Sequence, residues 1–312
     1  MAVPSIPVMP LPPRVFVDVG DLPQDFAADQ LPAMRHADGV LVCPPDHFDV
    51  VDVKNPYMEG QAGRVDRMLA RRQWEALVTA FRDAGLRVER VDPAPGCEDM
   101  VFTANQTFTG LDAEGRPLCL LSHMRHESRR REVPSFEAWF RGHGWRVEDP
   151  VPAESLFEGG GDALWHPGRR LIWMGRGFRS SEGADAVVSA AYGVPVFSLR
   201  LVDERFYHLD TCLAAIDERT ALVFPPAFDA NGLALIRRAF PRVVEVPEHE
   251  AKGAMACNAA AFGGRFVVIE RTADATIRKL ASLGYRVLPV DTSEYVKSGG
   301  SVFCMKQVLF SA

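Results

Sequence analysis

Two segments of the chain combine a nucleophile or a base with acidic and small residues. Residues 298–306 present Cys304 after two glycines, and residues 206–212 hold His208 and Asp210. A cysteine alone is more typical of a small buried core residue. As a thiolate, however, it is a strong nucleophile, and a nearby histidine can exchange protons with a leaving group or with water. The combination therefore predicts covalent catalysis through sulfur.

Two further segments supply carboxylates and an amide. Residues 158–162 place Glu158 and Asp162 on either side of three glycines, and residues 96–105 hold Asp99 and Asn105. A buried carboxylate is unfavourable unless it is paired, and carboxylates bind the N–H edges of a planar guanidinium in pairs. The four segments together predict a cavity that binds a cation.

A repeat in the sequence must bring these segments together. Five times a predicted helix runs into a turn and then into a short β-branched segment. The helices are predicted from apolar residues at helical spacing, with glycine at the C-terminal cap where the sequence offers one. They comprise residues 74–81, 133–141, 182–192, 231–240 and 277–283, with Gly85 and Gly284 as caps.

Pairs of strand-like runs separate these helices, which gives a ββαβ unit. Five units predict an α/β fold in the form of a five-bladed propeller with pseudo-fivefold symmetry and a central cavity. Even spacing places Asp99 with Asn105, and His208 with Asp210, on one face of a strand. A doubly wound α/β sheet is the alternative, although no GxGxxG motif supports it. The paired runs are 101–108 with 118–121, 163–165 with 171–174, 213–216 with 221–224, and 259–262 with 266–269.

The four segments resemble, in the same order, the motifs of the guanidine-modifying superfamily with the pentein fold. That superfamily includes arginine deiminases, dimethylarginine dimethylaminohydrolases, amidinotransferases and arginine dihydrolases. The resemblance covers about residues 15–308. It implies that Cys304 is the nucleophile, His208 the general acid and base, and Glu158 a catalytic carboxylate. An extra glycine between Glu158 and Asp162 leaves open which acid takes which role.

The resemblance also implies a set of substrate-binding residues. Arg129 and Arg179 are similar to arginines that clamp a substrate α-carboxylate, although solvated surface charge is the alternative for both. Asn55 lies in a segment, residues 53–58, that resembles a substrate-covering loop or else forms an ordinary turn. The implied substrate-binding residues are Asp99, Asn105, Asp162, Asp210, Arg129, Arg179 and Asn55.

The expected reaction is hydrolysis of a guanidino C–N bond without a metal or another cofactor. Cys304 would attack the guanidinium carbon, and His208 would protonate the departing amine and then activate water. Asn105 stands where deiminases and dimethylarginine hydrolases usually carry aspartate, which resembles dihydrolases that convert arginine to ornithine. Dimethylarginine hydrolysis, amidino transfer to an amine, and a non-catalytic pentein binding module remain as alternatives.

The composition limits the other partners. The chain has 312 residues and a formal charge of −6, which does not suggest nucleic-acid binding. Six cysteines without a CxxC pair suggest neither a disulfide framework nor a zinc site, so a cytoplasmic location is expected. Residues 1–14 are a proline-rich segment without the features of a signal peptide or membrane span, and residues 15–312 are expected to form one catalytic domain. The oligomeric state, monomer or homo-oligomer, is left open.

Overall fold

The computed structural model describes residues 11–311, so most of the predicted proline-rich segment lies outside the described residues. The described chain has a mixed α/β fold with five small sheets. Its strands are β1 (Val15–Phe16), β2 (Gly39–Val42), β3 (Arg87–Arg90), β4 (Thr107–Leu111), β5 (Pro117–Leu121), β6 (Arg146–Glu148), β7 (Ala163–Trp165), β8 (Ile172–Arg176), β9 (Val196–Arg200), β10 (Leu213–Ala215), β11 (Thr220–Val223), β12 (Arg242–Glu245), β13 (Ala260–Phe262), β14 (Phe266–Glu270), β15 (Arg286–Val290) and β16 (Gln307–Leu309).

Each sheet follows the same plan. Its first strand pairs antiparallel with the second, and the second pairs parallel with the third. Four sheets use consecutive strands, while the fifth joins the two ends of the chain in the order β16-β2-β3. In the sheet formed by β7, β8 and β9, β1 adds a fourth strand beside β9. The ββαβ units are confirmed, and the doubly wound alternative is wrong because the strands form five sheets rather than one.

The five predicted helices are confirmed. In the first, Asp66 caps the N-terminus by accepting a hydrogen bond from the Leu69 amide at 2.9 Å, and the apolar face is buried. Gly85 and Gly284 follow two of the helices with φ of 88° and 91°, which L-residues with a side chain rarely adopt. The helices are α1 (Arg67–Asp83), α2 (Glu127–Arg130), α3 (Val133–Gly142), α4 (Gly159–Asp162), α5 (Ala184–Tyr192), α6 (Ala230–Ala239), α7 (Glu248–Gly253), α8 (Asp274–Ser282) and α9 (Ser293–Val296).

Two predicted strand segments are wrong. In the predicted run 101–108, residues 101–106 form turns and bends and the strand begins only at Thr107, and the Phe102 amide donates to the Asp99 carbonyl at 2.9 Å. His208 precedes a single 3-10 turn, Leu209–Thr211, and its carbonyl accepts a hydrogen bond from the Thr211 hydroxyl at 2.6 Å. Polar side chains that bond to nearby backbone favour turns over strands. Asp99 and Asn105 therefore do not share a strand face, and neither do His208 and Asp210.

The first strands of all five sheets begin in the same region of the molecule. The residues just before β4, β7, β10, β13 and β16 meet there, and the segments chosen from the sequence precede four of these strands. No helix within residues 11–311 combines the length and apolarity needed to cross a bilayer.

Candidate active site

Cys304 lies at the centre of this region and is 3% exposed. Its thiol donates a hydrogen bond to Asp210 Oδ2 at 3.1 Å, and Asn258 Nδ2 donates to its sulfur at 3.1 Å. Burial and the neighbouring Asp210 charge raise the pKa of Cys304. Burial also raises the pKa of Asp210 to about 7, against the hydrogen bond from Cys304 and the charge of Lys306. Without a substrate, the sulfur is therefore a protonated thiol.

His208 is paired with Glu158. Its Nε2 lies 2.7 Å from Glu158 Oε2, and Arg179 Nη1 donates to the same oxygen at 3.0 Å. Burial lowers the pKa of His208 to about 4, although the hydrogen bond to Glu158 opposes this shift. The pKa of Glu158 is well below its usual range, because the charge of Arg179 and the His208 bond outweigh burial. The resting site therefore holds a neutral imidazole beside a carboxylate.

Asp162 is separated from Glu158 by one turn of α4 and faces other partners. Its Oδ2 contacts the Ser180 hydroxyl at 2.6 Å, and its Oδ1 accepts from the Leu209 amide at 3.1 Å. Leu209 directly follows His208, so Asp162 holds the turn that carries the histidine. Burial raises the pKa of Asp162 well above its ordinary value.

The glycines between these acids allow close packing. A Cβ on Gly161 would lie 2.3 Å from Asn105 Nδ2 and 3.2 Å from His208 Cγ. Gly299 has φ of 78°, as a tight turn requires, and a Cβ there would meet Asn55 Oδ1 at 2.6 Å. The two glycines before Cys304 thus form a tight turn, and Asn55 packs closely against its backbone.

A narrow pocket of about 300 Å³ opens onto Cys304. Lys54 bridges Glu98 and Asp99, with Nζ–O distances of 2.9 and 3.0 Å. The Ser298 hydroxyl donates to Asp99 at 3.1 Å. The pocket therefore holds one carboxylate, Asp99, among several cations. Its lining residues are Lys54, Asn55, Met58, Asp99, Phe102, Asn105, Arg129, Arg179, Tyr207, Ser298, Gly299, Gly300 and Cys304.

Both arginines singled out from the sequence line this pocket and are buried, so the surface-charge alternative is wrong. Arg129 donates from Nε to Glu132 at 3.0 Å and from Nη1 to Asn105 Oδ1 at 3.1 Å. Arg179 donates from Nη2 to the Lys54 carbonyl at 2.7 Å and stacks on Tyr207, 4.5 Å from the ring centroid.

Asn55 joins two sides of the pocket. It caps the 3-10 turn Pro56–Met58, and its Nδ2 donates to the Ser298 carbonyl at 3.0 Å. Lys54 and Met58 line the pocket beside it. The segment predicted to cover a substrate thus lies against the pocket as a short turn.

The sequence reasoning missed Asn258, Lys54 and Tyr207. Asn258 precedes β13, which is the fifth of the equivalent positions before a first strand. The repeat could have identified it, because the other four positions carry the polar segments discussed above. Lys54 and Tyr207 had no comparable signal, since their contacts depend on long-range packing.

The fold and the site define a class of mixed α/β proteins in which five small sheets, four of three strands and one of four, meet at a buried cysteine, a histidine and carboxylates. The chain belongs to a family of hydrolases within it, described as N,N dimethylarginine dimethylhydrolase, eukaryotic, which matches residues 49–311. The N(G),N(G)-dimethylarginine dimethylaminohydrolase of Mycobacterium tuberculosis is 36% identical over 261 residues, covering 84% of this chain and 82% of that protein.

Cyanobacterial proteins are also similar. The bifunctional arginine dihydrolase/ornithine cyclodeaminase AgrE of Nostoc is 37% identical over 267 residues, which cover 85% of this chain. The chain spans only 37% of the length of that relative. The crystal structure of the N-terminal domain of ArgZ, an arginine dihydrolase, bound to substrate is 36% identical, with a TM-score of 0.80 and coverage of 86% of this chain and 97% of that one.

Proposed function

We propose that this protein hydrolyses the guanidino group of arginine, or of an Nω-methylated arginine, through a covalent bond to Cys304. The observation that carries this proposal is the contact of the Cys304 thiol with Asp210 at the end of a pocket that contains Asp99. A carboxylate beside a thiol works against thiolate formation unless a cation enters between or beside them. A guanidinium substrate supplies that cation.

The two ends of the pocket suit the two ends of an amino acid. Asp99 is the carboxylate that lines the pocket, where a guanidinium would share it with Lys54, and Asp210 lies beside the sulfur. Lys54, Arg129 and Arg179 add positive charge around the same pocket, which favours a substrate that also carries a carboxylate. This distribution supports an α-amino acid with a guanidino side chain.

The first half of the reaction releases an amine. Substrate charge favours the Cys304 thiolate, and the thiol proton passes to the neutral His208. The thiolate adds to the guanidinium carbon, and the imidazolium, held by Glu158 at 2.7 Å, protonates the leaving nitrogen. The C–S bond forms, the C–N bond breaks and a neutral amine departs.

The second half releases the product. His208, again neutral, removes a proton from water, which attacks the same carbon. The C–O bond forms and the C–S bond breaks, the proton on His208 returns to the sulfur, and the second proton of the water passes to solvent, where the released amine takes it up. A ureido compound leaves, and Cys304 is again a thiol.

A second round on the ureido product is supported by the free donor of Asn105. Its Oδ1 accepts from Arg129, while its Nδ2 is buried without a hydrogen-bond partner among the described residues. An aspartate would present an acceptor there, whereas an amide N–H can donate to the neutral oxygen of a ureido group. We therefore propose a dihydrolase, in which citrulline is an intermediate and ornithine a product.

The arrangement of the sheets supports the larger architecture. We infer that the five sheets are the blades of a pseudo-fivefold propeller formed by residues 15–312 as one catalytic domain, because each first strand begins at the same site. All six cysteines are free, which supports a reducing location such as the cytoplasm.

Product analysis tests this function. Purified protein is incubated separately with L-arginine, Nω,Nω-dimethylarginine and citrulline, and the products are identified by mass spectrometry beside a Cys304→Ser control. Ornithine from arginine and from citrulline, absent in the control, is expected. Citrulline from dimethylarginine alone would restrict the activity to methylated arginine. Turnover only after addition of an amine acceptor would replace hydrolysis by amidino transfer.

A further inference from the structure

A second cavity extends along the first strands, from their far ends to the segments just before them. It measures about 870 Å³, including its open mouth. Its lining includes the β7–β8 turn at Pro167 and Gly168 at one end, and Phe303 and Lys306, on either side of Cys304 in the chain, at the other. The two cavities share no lining residue. This is therefore a second cavity whose inner end lies close to the catalytic candidates.

The walls of the second cavity are largely apolar. Small residues of three first strands, Ala163, Ala215 and Ala261, leave the central space open. Aromatic rings surround that space, and their surfaces favour an apolar or aromatic body over a strongly hydrated one. The aromatic lining residues are Phe108, Trp165, Phe262, Phe303 and Phe310.

One amine lies at the inner end of this cavity. Lys306 lines it, is 3% exposed and begins the segment that enters β16. Its Nζ makes no hydrogen bond or ion pair with residues 11–311, and it lies over the Phe303 ring, 3.1 Å from the centroid. A buried ammonium without an acceptor is unfavourable, and burial accordingly lowers the pKa of Lys306 to about 7 despite the nearby Asp210 and Cys304.

The other charged or titratable groups that line the cavity favour an anionic ligand. The lining contains no aspartate or glutamate. His166 has both ring nitrogens occupied, by the Glu218 carbonyl and the Trp173 indole N–H. Arg35 and His36 are exposed at the mouth, and Arg35 donates to the Ser311 carbonyl. Lys306 is therefore the inner donor that lacks an acceptor.

We propose that this cavity binds a small carboxylate with an apolar, aromatic-sized body, and that the carboxylate pairs with Lys306 Nζ. The pairing supplies the acceptor that the buried amine lacks, and the aromatic walls bury the body of the ligand. A cation is disfavoured because no carboxylate lines the space. The proposed binding does not require the hydrolysis, since the two cavities share no lining residue, although the charge of Lys306 also acts on Asp210.

Calorimetric binding to the full chain tests this proposal, with 3-phenylpropanoate as the probe and uncharged 3-phenylpropanamide as the matched ligand control. The wild type is expected to bind the acid, and Lys306→Met is expected to weaken that binding about tenfold or more. The affinity for the amide should differ little between the two proteins. Ala261→Phe, which keeps Lys306 but fills the space, should remove binding of both probes.

Competition separates this site from the catalytic pocket. In Cys304→Ser, which cannot turn citrulline over, saturating L-citrulline should leave the affinity for phenylpropanoate unchanged. Displacement by citrulline, equal affinity in Lys306→Met and the wild type, or no binding by the wild type would each overturn the proposal. If Lys306→Met does not fold, as judged by circular dichroism, the test rests on the comparison of the wild type with Ala261→Phe. Retained binding of phenylpropanoate by Ala261→Phe would also overturn the proposal.

Discussion

Asn258 holds Cys304 by both ends of its amide. Its Nδ2 donates to the Cys304 sulfur at 3.1 Å, and its Oδ1 accepts from the Cys304 backbone amide at 3.2 Å. The same oxygen accepts from the amides of Ser301 and Phe303 at 3.2 and 3.0 Å. Because these bonds come from the turn that carries the sulfur, Asn258 positions the nucleophile.

Asn258→Asp keeps the acceptor and replaces the donor with a second carboxylate beside the thiol. The added negative charge should raise the pKa of Cys304, so the rise of kcat/KM with pH should move to higher pH, and kcat/KM at neutral pH should fall about tenfold or more. A pH profile measures this shift, with thermal unfolding to confirm the fold. An unchanged profile would show that Asn258 has only a structural role.

Gly161→Ala should displace the catalytic residues without straining the backbone. The new Cβ would lie 2.3 Å from Asn105 Nδ2 and 3.2 Å from His208 Cγ, so one of them must move. We expect kcat to fall about 100-fold with little change in helical content. Gly142→Ala is the matched control, because nothing lies within 4 Å of its added Cβ. Equal activity of both variants would contradict this geometry.

Asn105→Asp tests the second hydrolytic round. The substitution removes the unpaired amide donor and adds a charge next to Arg129. Citrulline should then accumulate from arginine, and the ratio of ornithine to citrulline should fall about tenfold or more. Asn231→Asp, at an exposed position of α6, controls for added charge. Ornithine production at the wild-type ratio would exclude Asn105 from this role.

His166 should make stability depend on pH away from the catalytic pocket. Burial lowers the pKa of His166 to about 4 from an ordinary value of 6.5. As the pH falls from about 6.5 to about 4, the unfolded chain binds a proton that the folded protein excludes. The free energy of unfolding should therefore fall by about 3 kcal/mol from this group.

Chemical denaturation at several pH values measures that loss. His166→Gln should reduce the slope over this window, and His249→Gln, at an exposed side chain, is the control. Equal slopes in the wild type and His166→Gln would contradict the assignment of a buried neutral imidazole.

The repeat made most of the fold predictable. Helices such as α6 and short runs such as β7 were found within a few residues, because local periodicity reflects burial on one face, although α1 begins well before the predicted residue 74. The residues from Asp99 to Asn105 and from His208 to Asp210 were mistaken for strands, since two-residue spacing does not distinguish a strand from a polar turn. The sheet that joins β16 to β2 depends on a contact between the chain ends, which local pattern does not encode.

The candidate site was partly predictable for the same reason. Cys304, His208 and Glu158 stood out because nucleophile, base and acid preceded equivalent strands, and the structure brings them into one region. The pairing of Cys304 with Asp210, and of His208 with Glu158 at 2.7 Å, follows from packing between different sheets. Sequence spacing could not assign it, nor could it show that Asp162 faces Ser180 and Leu209.

The central claim is that Cys304 bonds covalently to the guanidino carbon. Peptide-mapping mass spectrometry of acid-quenched reactions with L-arginine and with Nω,Nω-dimethylarginine tests it most directly. The same adduct is expected from both substrates on the peptide that contains Cys304, because each loses its terminal nitrogen as an amine. An adduct on a different cysteine, or turnover by Cys304→Ser within about tenfold of the wild-type rate, would contradict the mechanism.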